Sequence, residues 1–568
     1  MTNVFFPRVN RQNRNDALIQ HKVKPCFLIS KEKEFHPHSP CKICFPSTSD
    51  LFPCDYEELG VRNLLAVVQP DSKVLVSWQH ILQQRLKTLQ VHWGQVEKLS
   101  QIDAHKIYVV IHQNKLDIPV LAFTLMVGLQ EANIEFLNQN EPHHDFVIPN
   151  PTLAKEKFQK ISKVLFIDAE NSDFLLKTFA DSLCGSDQSD VLLIPISVCY
   201  ELSFDTISYT SDHCELHSKW KSNVRINFGL PHSFKDFISN AQNNSNMIVE
   251  LKQHLRHDIW KNTPIMSFHV LSMILQYRIK KSKDVELPDC VKLMDEFQKK
   301  FRQHHDLAFV GDLYAITQHT MQVFSMKGVL PFSSVAADIM KLESLMMKSL
   351  FSVMDVIEFD LHSDIGNRVS QNRLLENYRK IAWLLRHEIA AINPPCLSAS
   401  NSEKKALDYL IDNLVLSQLS DEPNSGEQQM ARRIAHHLNV DSDEEEDFLD
   451  RPVMDTFLYV NIANALSHKW VATISNQILD VYYITAKQLL ELRKIDVIEE
   501  NVFIQRIFKE LKKKGHDLDA AVQNAIKLFK EEGILESYSH SEVKILYLKD
   551  PFDETNLLRL VHDIAQFC

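Results

Sequence analysis

With 568 residues, 45% of them apolar and 24% charged, the chain has an ordinary globular composition and length enough for two to four domains; 11 glycines and 21 prolines exclude fibrous and low-complexity classes. A net charge of -12 and a pI near 6.1 argue against a nucleic-acid binder, whose footprint is basic. Ten cysteines, mostly single in apolar contexts (Cys184, Cys199, Cys290), fit a reducing, intracellular compartment rather than a disulfide framework.

Residues 1–59 read as a polar leader and a Cys/Pro-rich loop. Within the first 30 residues, Arg8, Arg11, Arg14, Lys22 and Lys24 face one acid, Asp16, without the Ser-rich amphipathic pattern of a transit sequence. Cys41 and Cys44, a C-x2-C near His36, His38 and Cys54, offer zinc-ligand types, but the His-x-His spacing and the prolines match no common finger, so no metal is expected. From Leu75 to Val96, apolar residues Leu75, Trp78, Ile81, Leu82, Leu86 and Leu89 recur at helical spacing and predict one amphipathic helix, with its apolar face in a core or on a membrane surface. The runs Ile107–Ile111, Val164–Ile167, Val191–Val198 and Val224–Phe228 are short and β-branched, separated by helical or polar stretches. They predict an α/β domain over 60–255, a sheet flanked by helices. The longest apolar windows, such as Ile118–Leu129, fall short of the roughly 20 residues that cross a bilayer.

Beyond Pro264 the strand signal fades. Helical patterns over Ser267–Arg278, Asp289–Arg302, Leu313–Phe324 and Ser334–Phe359 define a helical domain at 256–395, closed by Pro394, Pro395 and Cys396. A C-terminal, mostly helical domain at 396–568 carries the acidic linker 441–447. It ends in a helix, Leu518–Phe529, stopped by Gly533, and a hairpin of Ile534–Tyr538 with Val543–Leu548. A winged-helix DNA reader shares this order of elements, but the acidic surroundings favour a packing hairpin. The pairs His304-His305 and His436-His437 read as exposed helix residues. Neither a Gly-rich phosphate loop nor a Ser/His/Asp or Cys/His nucleophile spacing stands out.

The pattern that carries chemistry is His112 and Asp117, an H-x4-D between a strand and an apolar helix that tolerates Pro119 in its first turn. One reading is a strand-end histidine beside a capping aspartate. The other is a general base whose second ring nitrogen is held by the carboxylate, so that the imidazole can take a proton from an attacking alcohol.

Several stretches bear on that choice. IHQNKLDIPVLAF (111–123) resembles the first motif of the glycerol-3-phosphate acyltransferases. CKICFPSTSDLF with LGVRNLL (41–65) resembles the segment before the catalytic domain of the animal mitochondrial-type enzymes, and VLLIPISVCYE (191–201), VRINFGLPHSFKDFI (224–238), IMSFHVLSMILQYR (265–278) and DLAFVGD (306–312) are similar, in the same order, to their last motif, the strand after it and the start of their helical C-terminal region. The resemblance implies an acyltransferase α/β domain followed by a mainly α-helical C-terminal region. It also implies acyl-CoA as co-substrate with no cofactor, a glycerol 3-phosphate-like acceptor, and glycerolipid, phospholipid and triacylglycerol synthesis. By the same resemblance His112 is the base, Asp117 its orienter, and Pro195 and Arg225 are substrate-side residues. Relatives work at membranes, which implies a peripheral attachment at the mitochondrial outer membrane or endoplasmic reticulum, without nucleic acid.

Departures accompany it. Where the family's second motif carries an arginine, SKVLFID (162–168) ends in Asp168, and the arginine-bearing third motif has no match; Ala169–Asp190 contains no arginine. Phosphate recognition rests on Arg or Lys forks, so a phosphorylated acceptor is expected to bind weakly. Lys163, Lys219, Lys221 and Arg225 are the basic residues near matched motifs. Three outcomes stay open: an acyl-CoA-dependent O-acyltransferase, a catalytically impaired relative acting as a lipid- or partner-binding scaffold, and an acyltransferase for an uncharged acceptor.

Overall fold

The computed structural model describes residues 44, 61–67, 73–112, 116–131, 134–137, 162–169, 171–183, 190–201, 221–241, 246–280, 286–301, 305–309, 312–327, 341–356, 368–389, 399–418, 457–514, 519–540, 543–549 and 554–568. The leader, most of the Cys/Pro loop, the Pro-Pro-Cys turn, the acidic linker, His304 and the His436-His437 pair lie outside them. The chain divides into two compact units, Met1–Asp338 with Ala390–Cys396, and Ile339–Ile389 with Leu397–Cys568.

The first unit is built on a mixed sheet of eight strands: β1 (Val61–Asn63), β2 (Leu86–His92), β3 (His105–Val110), β4 (Ile134–Leu137), β5 (Ser162–Phe166), β6 (Val191–Tyr200), β7 (Ser222–Phe228) and the short β8 (His232–Ser233). The order is β1-β2-β7-β6-β3-β5-β4, with β8 beside β6. Strands β4, β5, β3 and β6 run parallel, whereas β7 meets β6 antiparallel. Period-2 alternation sorts the side chains cleanly. Tyr108, Val110, Val164, Phe166, Ile194, Ile196, Val198 and Tyr200 share one core with helices α1 (Leu64–Val67), α2 (Lys73–Arg85), α3 (Trp93–Gln101) and α4 (Asp117–Phe123). Ile107, Val109, Leu165, Ile167 and Leu193 turn to the other face, against α5 (Ser172–Leu183), α6 (Phe234–Ala241) and α7 (Met247–Lys261). The four strands expected from the sequence are all present.

The single helix expected over 75–96 is corrected. Helix α2 stops at Arg85, β2 takes Leu86–His92, and α3 begins at Trp93. The register of β2 against β7 shifts between Leu86 and Thr88, so a bulge brings Leu86 onto the same core face as Leu89 and Val91. A bulge therefore imitates the three-residue spacing of a helix. Trp78 and Leu82 are buried in that core rather than offered to a surface.

Proline in an inner strand removes a ladder donor. Pro195 sits where none is needed: on that edge β8 pairs with Leu192 and Leu193, and β7 begins pairing at Ile196. Its carbonyl accepts the Gly229 N–H at 2.7 Å. Helices 267–280, 287–301 and 313–327 follow in the same unit. His305, expected on an exposed helix, is buried outside any helix, edge-on to Trp260 at 5.9 Å; the bridge joining Ile265 to Leu307 fixes its segment.

The second unit contains helices 341–356, 371–384, 399–412, 476–495, 500–514, 519–531 and 554–565 and two three-stranded antiparallel sheets. The expected hairpin is there as Leu535–His540 paired with Val543–Leu548, joined by a third strand, Val497–Glu499, that the sequence reading missed. The helix before the hairpin is packed within this unit: Glu531 takes Arg386 and His387, and Asn524 donates to Glu388.

Candidate active site

His112, Asp168 and Tyr200 come from the carboxyl ends of three neighbouring parallel strands, β3, β5 and β6, the edge at which open α/β sheets bind ligands. Asp117 opens α4 and is brought to the same edge. His112 Nδ1 stands 3.2 Å from Asp117 Oδ2, with the imidazole 41% exposed and the carboxylate 0% exposed. The two residues singled out in the sequence thus meet, one half open and one sealed. A carboxylate so buried requires donors, and Tyr200 Oη supplies one to Asp117 Oδ1 at 2.7 Å. The His112 ring lies edge-on to Phe166, centroids 5.3 Å apart.

Asp168 has a local function that charge alone did not suggest. Its Oδ1 accepts the backbone N–H of His112 at 3.1 Å, tying the end of β5 to the end of β3, while the side chain stays exposed. A carboxylate is therefore held one backbone unit from the imidazole.

Arg225 is elsewhere. Val224 and Ile226 join the core that holds Tyr200, so alternation sends Arg225 to the opposite face of the sheet. Its Nη2 donates to Asp306 Oδ1 at 3.0 Å and to His92 Nε2 at 2.7 Å; Nε is 3.0 Å from Asp306 Oδ2, at ion-pair distance without hydrogen-bond alignment. Asn227 Nδ2 also donates to Asp306, at 2.9 Å. Burial opposes ionisation of Asp306, but Arg225, His92 and Asn227 together hold its carboxyl well below the usual range. Pro195 is buried in β6 opposite Val109, three residues before His112.

The remaining basic candidates are spread. Lys163 lies near the amino end of β5, 3.8 Å from Glu135 and over the Phe179 ring. Lys221 is exposed just before β7, and Lys219 is outside the described residues. Two thiol-bearing positions are inert by environment: burial pushes the Cys199 thiol far up, and Cys290 is buried. Next to Cys199, burial drives His269 down to about 4. His269 Nδ1 accepts the Met266 N–H, so Nε2 donates to the Tyr200 carbonyl. Among the described residues no three His, Cys, Asp or Glu side chains group as a metal site would require; of the C-x2-C pair, only Cys44 is described.

A mixed α/β sheet with a histidine–carboxylate pair at its carboxyl edge is an arrangement suited to proton transfer at a hydroxyl. No family model matches the chain. Among known proteins it is similar to glycerol-3-phosphate acyltransferase 1, mitochondrial, of rat (Rattus norvegicus), 21% identical over 356 residues, which is 54% of this chain and 42% of that protein. The human protein (Homo sapiens) of the same name is 21% identical over 372 residues, 56% of this chain and 44% of its own length. The mouse protein (Mus musculus) is 20% identical over 372 residues. The relationship is distant, and the chain spans less than half the length of the curated relatives it matches.

Proposed function

We propose that the first unit is an acyl-CoA-dependent O-acyltransferase, with His112 as general base and Asp117 as its orienter. The observation that carries this is the 3.2 Å contact from His112 Nδ1 to a fully buried Asp117 at the sheet's carboxyl edge. With Nδ1–H directed to Asp117, Nε2 is the nitrogen left to take the proton of an acceptor hydroxyl. The oxygen then bonds to the thioester carbonyl carbon; collapse of the tetrahedral adduct breaks the C–S bond, and the departing thiolate takes the proton from His112. No acyl-enzyme is required, because proximity and orientation account for much of such a rate.

The acceptor favoured by this site is an uncharged hydroxyl rather than glycerol 3-phosphate. Asp168 holds negative charge beside His112, and Arg225 is committed to Asp306 across the sheet. Each charge-assisted phosphate contact is worth roughly 1.5–3 kcal/mol, so losing two or three weakens a phosphorylated acceptor about a thousandfold or more. In this reading Arg225 is structural, and Pro195 shapes the floor beneath the acyl or CoA side. The same carboxylate beside His112 gives the second reading, a catalytically impaired scaffold that binds acyl-CoA or a partner, its support. Peripheral attachment to a mitochondrial or endoplasmic reticulum membrane, the domain limits at 59, 255 and 395, and a mainly helical chain beyond residue 256 belong to the same proposal.

Purified protein with labelled acyl-CoA, offered glycerol 3-phosphate, dihydroxyacetone phosphate and neutral alcohols, tests it. Acylation of a neutral alcohol, lost in His112→Ala, is expected. Acyl-CoA binding without turnover of any acceptor would leave the scaffold.

A further inference from the structure

We infer that Tyr200 is a positioning residue, which clamps the Asp117 carboxylate through one oxygen so that the other holds the His112 ring in a single tautomer. In its kinetic part the inference rests on the acyl-transfer reading above. The two carboxylate oxygens of Asp117 meet different groups: Oδ1 accepts Tyr200 Oη at 2.7 Å, and Oδ2 faces His112 Nδ1 at 3.2 Å.

The side chain reaches that place by sheet alternation. Tyr200 closes β6 on the same face as Ile194, Ile196 and Val198, and its ring is buried in the core that contains Val224 and Ile118. The phenol is thus fixed at both ends, by packing along the ring and by the carboxylate at the hydroxyl. A carboxylate held by one partner can rotate about its Cβ–Cγ bond; a second donor on the other oxygen removes that freedom. With its plane fixed, Asp117 favours the tautomer with the proton on Nδ1, which is the one that leaves Nε2 able to accept. The phenol is suited to this because it donates without bringing a positive charge that would compete with the imidazolium formed during transfer. Asp168 complements it from the main chain by holding the backbone N–H of His112. Ring and backbone of the histidine are therefore fixed by different residues.

The test uses the full chain labelled with 15N-histidine, with the His112 ring signals assigned by their disappearance in His112→Gln. At a pH where the ring is neutral, the unaltered protein is expected to show the paired 15N shifts of one Nδ1-protonated tautomer. Tyr200→Phe is expected to show shifts averaged between two tautomers, with a melting temperature lowered by the loss of one donor to a buried carboxylate while the chain still folds. In the acylation assay, kcat should fall about tenfold or more while KM for acyl-CoA stays within about twofold. If Tyr200→Phe fails to fold, 3-fluorotyrosine at position 200 keeps ring and hydroxyl, and a displaced His112 ring shift is the expected result. Unchanged His112 shifts in the variant that folds would overturn the inference. A protein that acylates nothing would defeat the acyl-transfer reading alone, since the ring shifts decide Tyr200 without turnover.

Discussion

Arg225 and His112 lie at nearby positions of one sheet and have opposite fates. His112 follows an even-numbered run that ends in Val110 and stays open at the strand edge; Arg225 alternates onto the far face and is sealed there by Asp306. Removing one partner of a buried ion pair strands the other, at a cost of about 3–5 kcal/mol. Asp306→Asn is therefore expected to lower the unfolding free energy by about 3 kcal/mol or more in denaturant titrations, while KM for the acceptor in folded protein is unchanged. A raised KM with intact stability would return Arg225 to the substrate. None of this network is legible in sequence. Its partners, His92 and Asp306, lie 133 and 81 residues from Arg225. His112 and Asp117, five residues apart across a strand-to-helix turn, were legible. Tyr200 stood in a quoted motif without a role, because its partner is 83 residues away.

At the scale of elements, two glycines separate strain from crowding. Gly533 ends helix 519–531 with φ +65, and a Cβ there would meet only Lys549 Cδ at 3.9 Å. Gly533→Ala should thus cost about 1 kcal/mol through backbone conformation alone. Gly229 adopts no such conformation, but a Cβ would lie 3.1 Å from Asn262 Nδ2 and 3.2 Å from both Pro195 Cβ and the Pro195 carbonyl oxygen. Gly229→Ala should cost about 1–3 kcal/mol by crowding β6, read as a lower melting temperature. Strands β3, β5, β6 and β7 were readable because their apolar runs are short and bounded. Strand β2 was not, since its bulge places Leu86 and Leu89 as a helix would. The hairpin at the end of the chain was readable, whereas its three-residue partner, Val497–Glu499, is too short to show a period.

For the whole molecule, acid is the informative variable. His269 is neutral in the fold, with its proton affinity pushed down to about 4 by burial. An unfolded histidine titrates near 6.5, so the unfolded chain binds a proton first, and the stability from keeping His269 neutral is lost as pH falls from about 6.5 to 4. The loss is at most about 3.5 kcal/mol, at roughly 1.4 kcal/mol per unit. Asp306 acts in the same direction at lower pH: its depressed folded value contributes stability that is present above about 3.8 and is lost as the carboxyl takes up a proton. Unfolding free energies between pH 7 and 4 should decline, and His269→Gln, which removes the titrating ring, should flatten the upper part of that decline. No described helix is long and apolar enough to cross a membrane, and Trp78 and Leu82 of α2 are spent on the core.

Acyl transfer at this site requires His112, held by Asp117, to move a proton. The most direct measurement is the rate of free thiol release from acyl-CoA by purified protein in the presence of a neutral alcohol, compared with His112→Ala at equal acyl-CoA occupancy. Alcohol-dependent release is expected, falling at least about a hundredfold in the variant. Alcohol-dependent release at an unchanged rate in His112→Ala would contradict it.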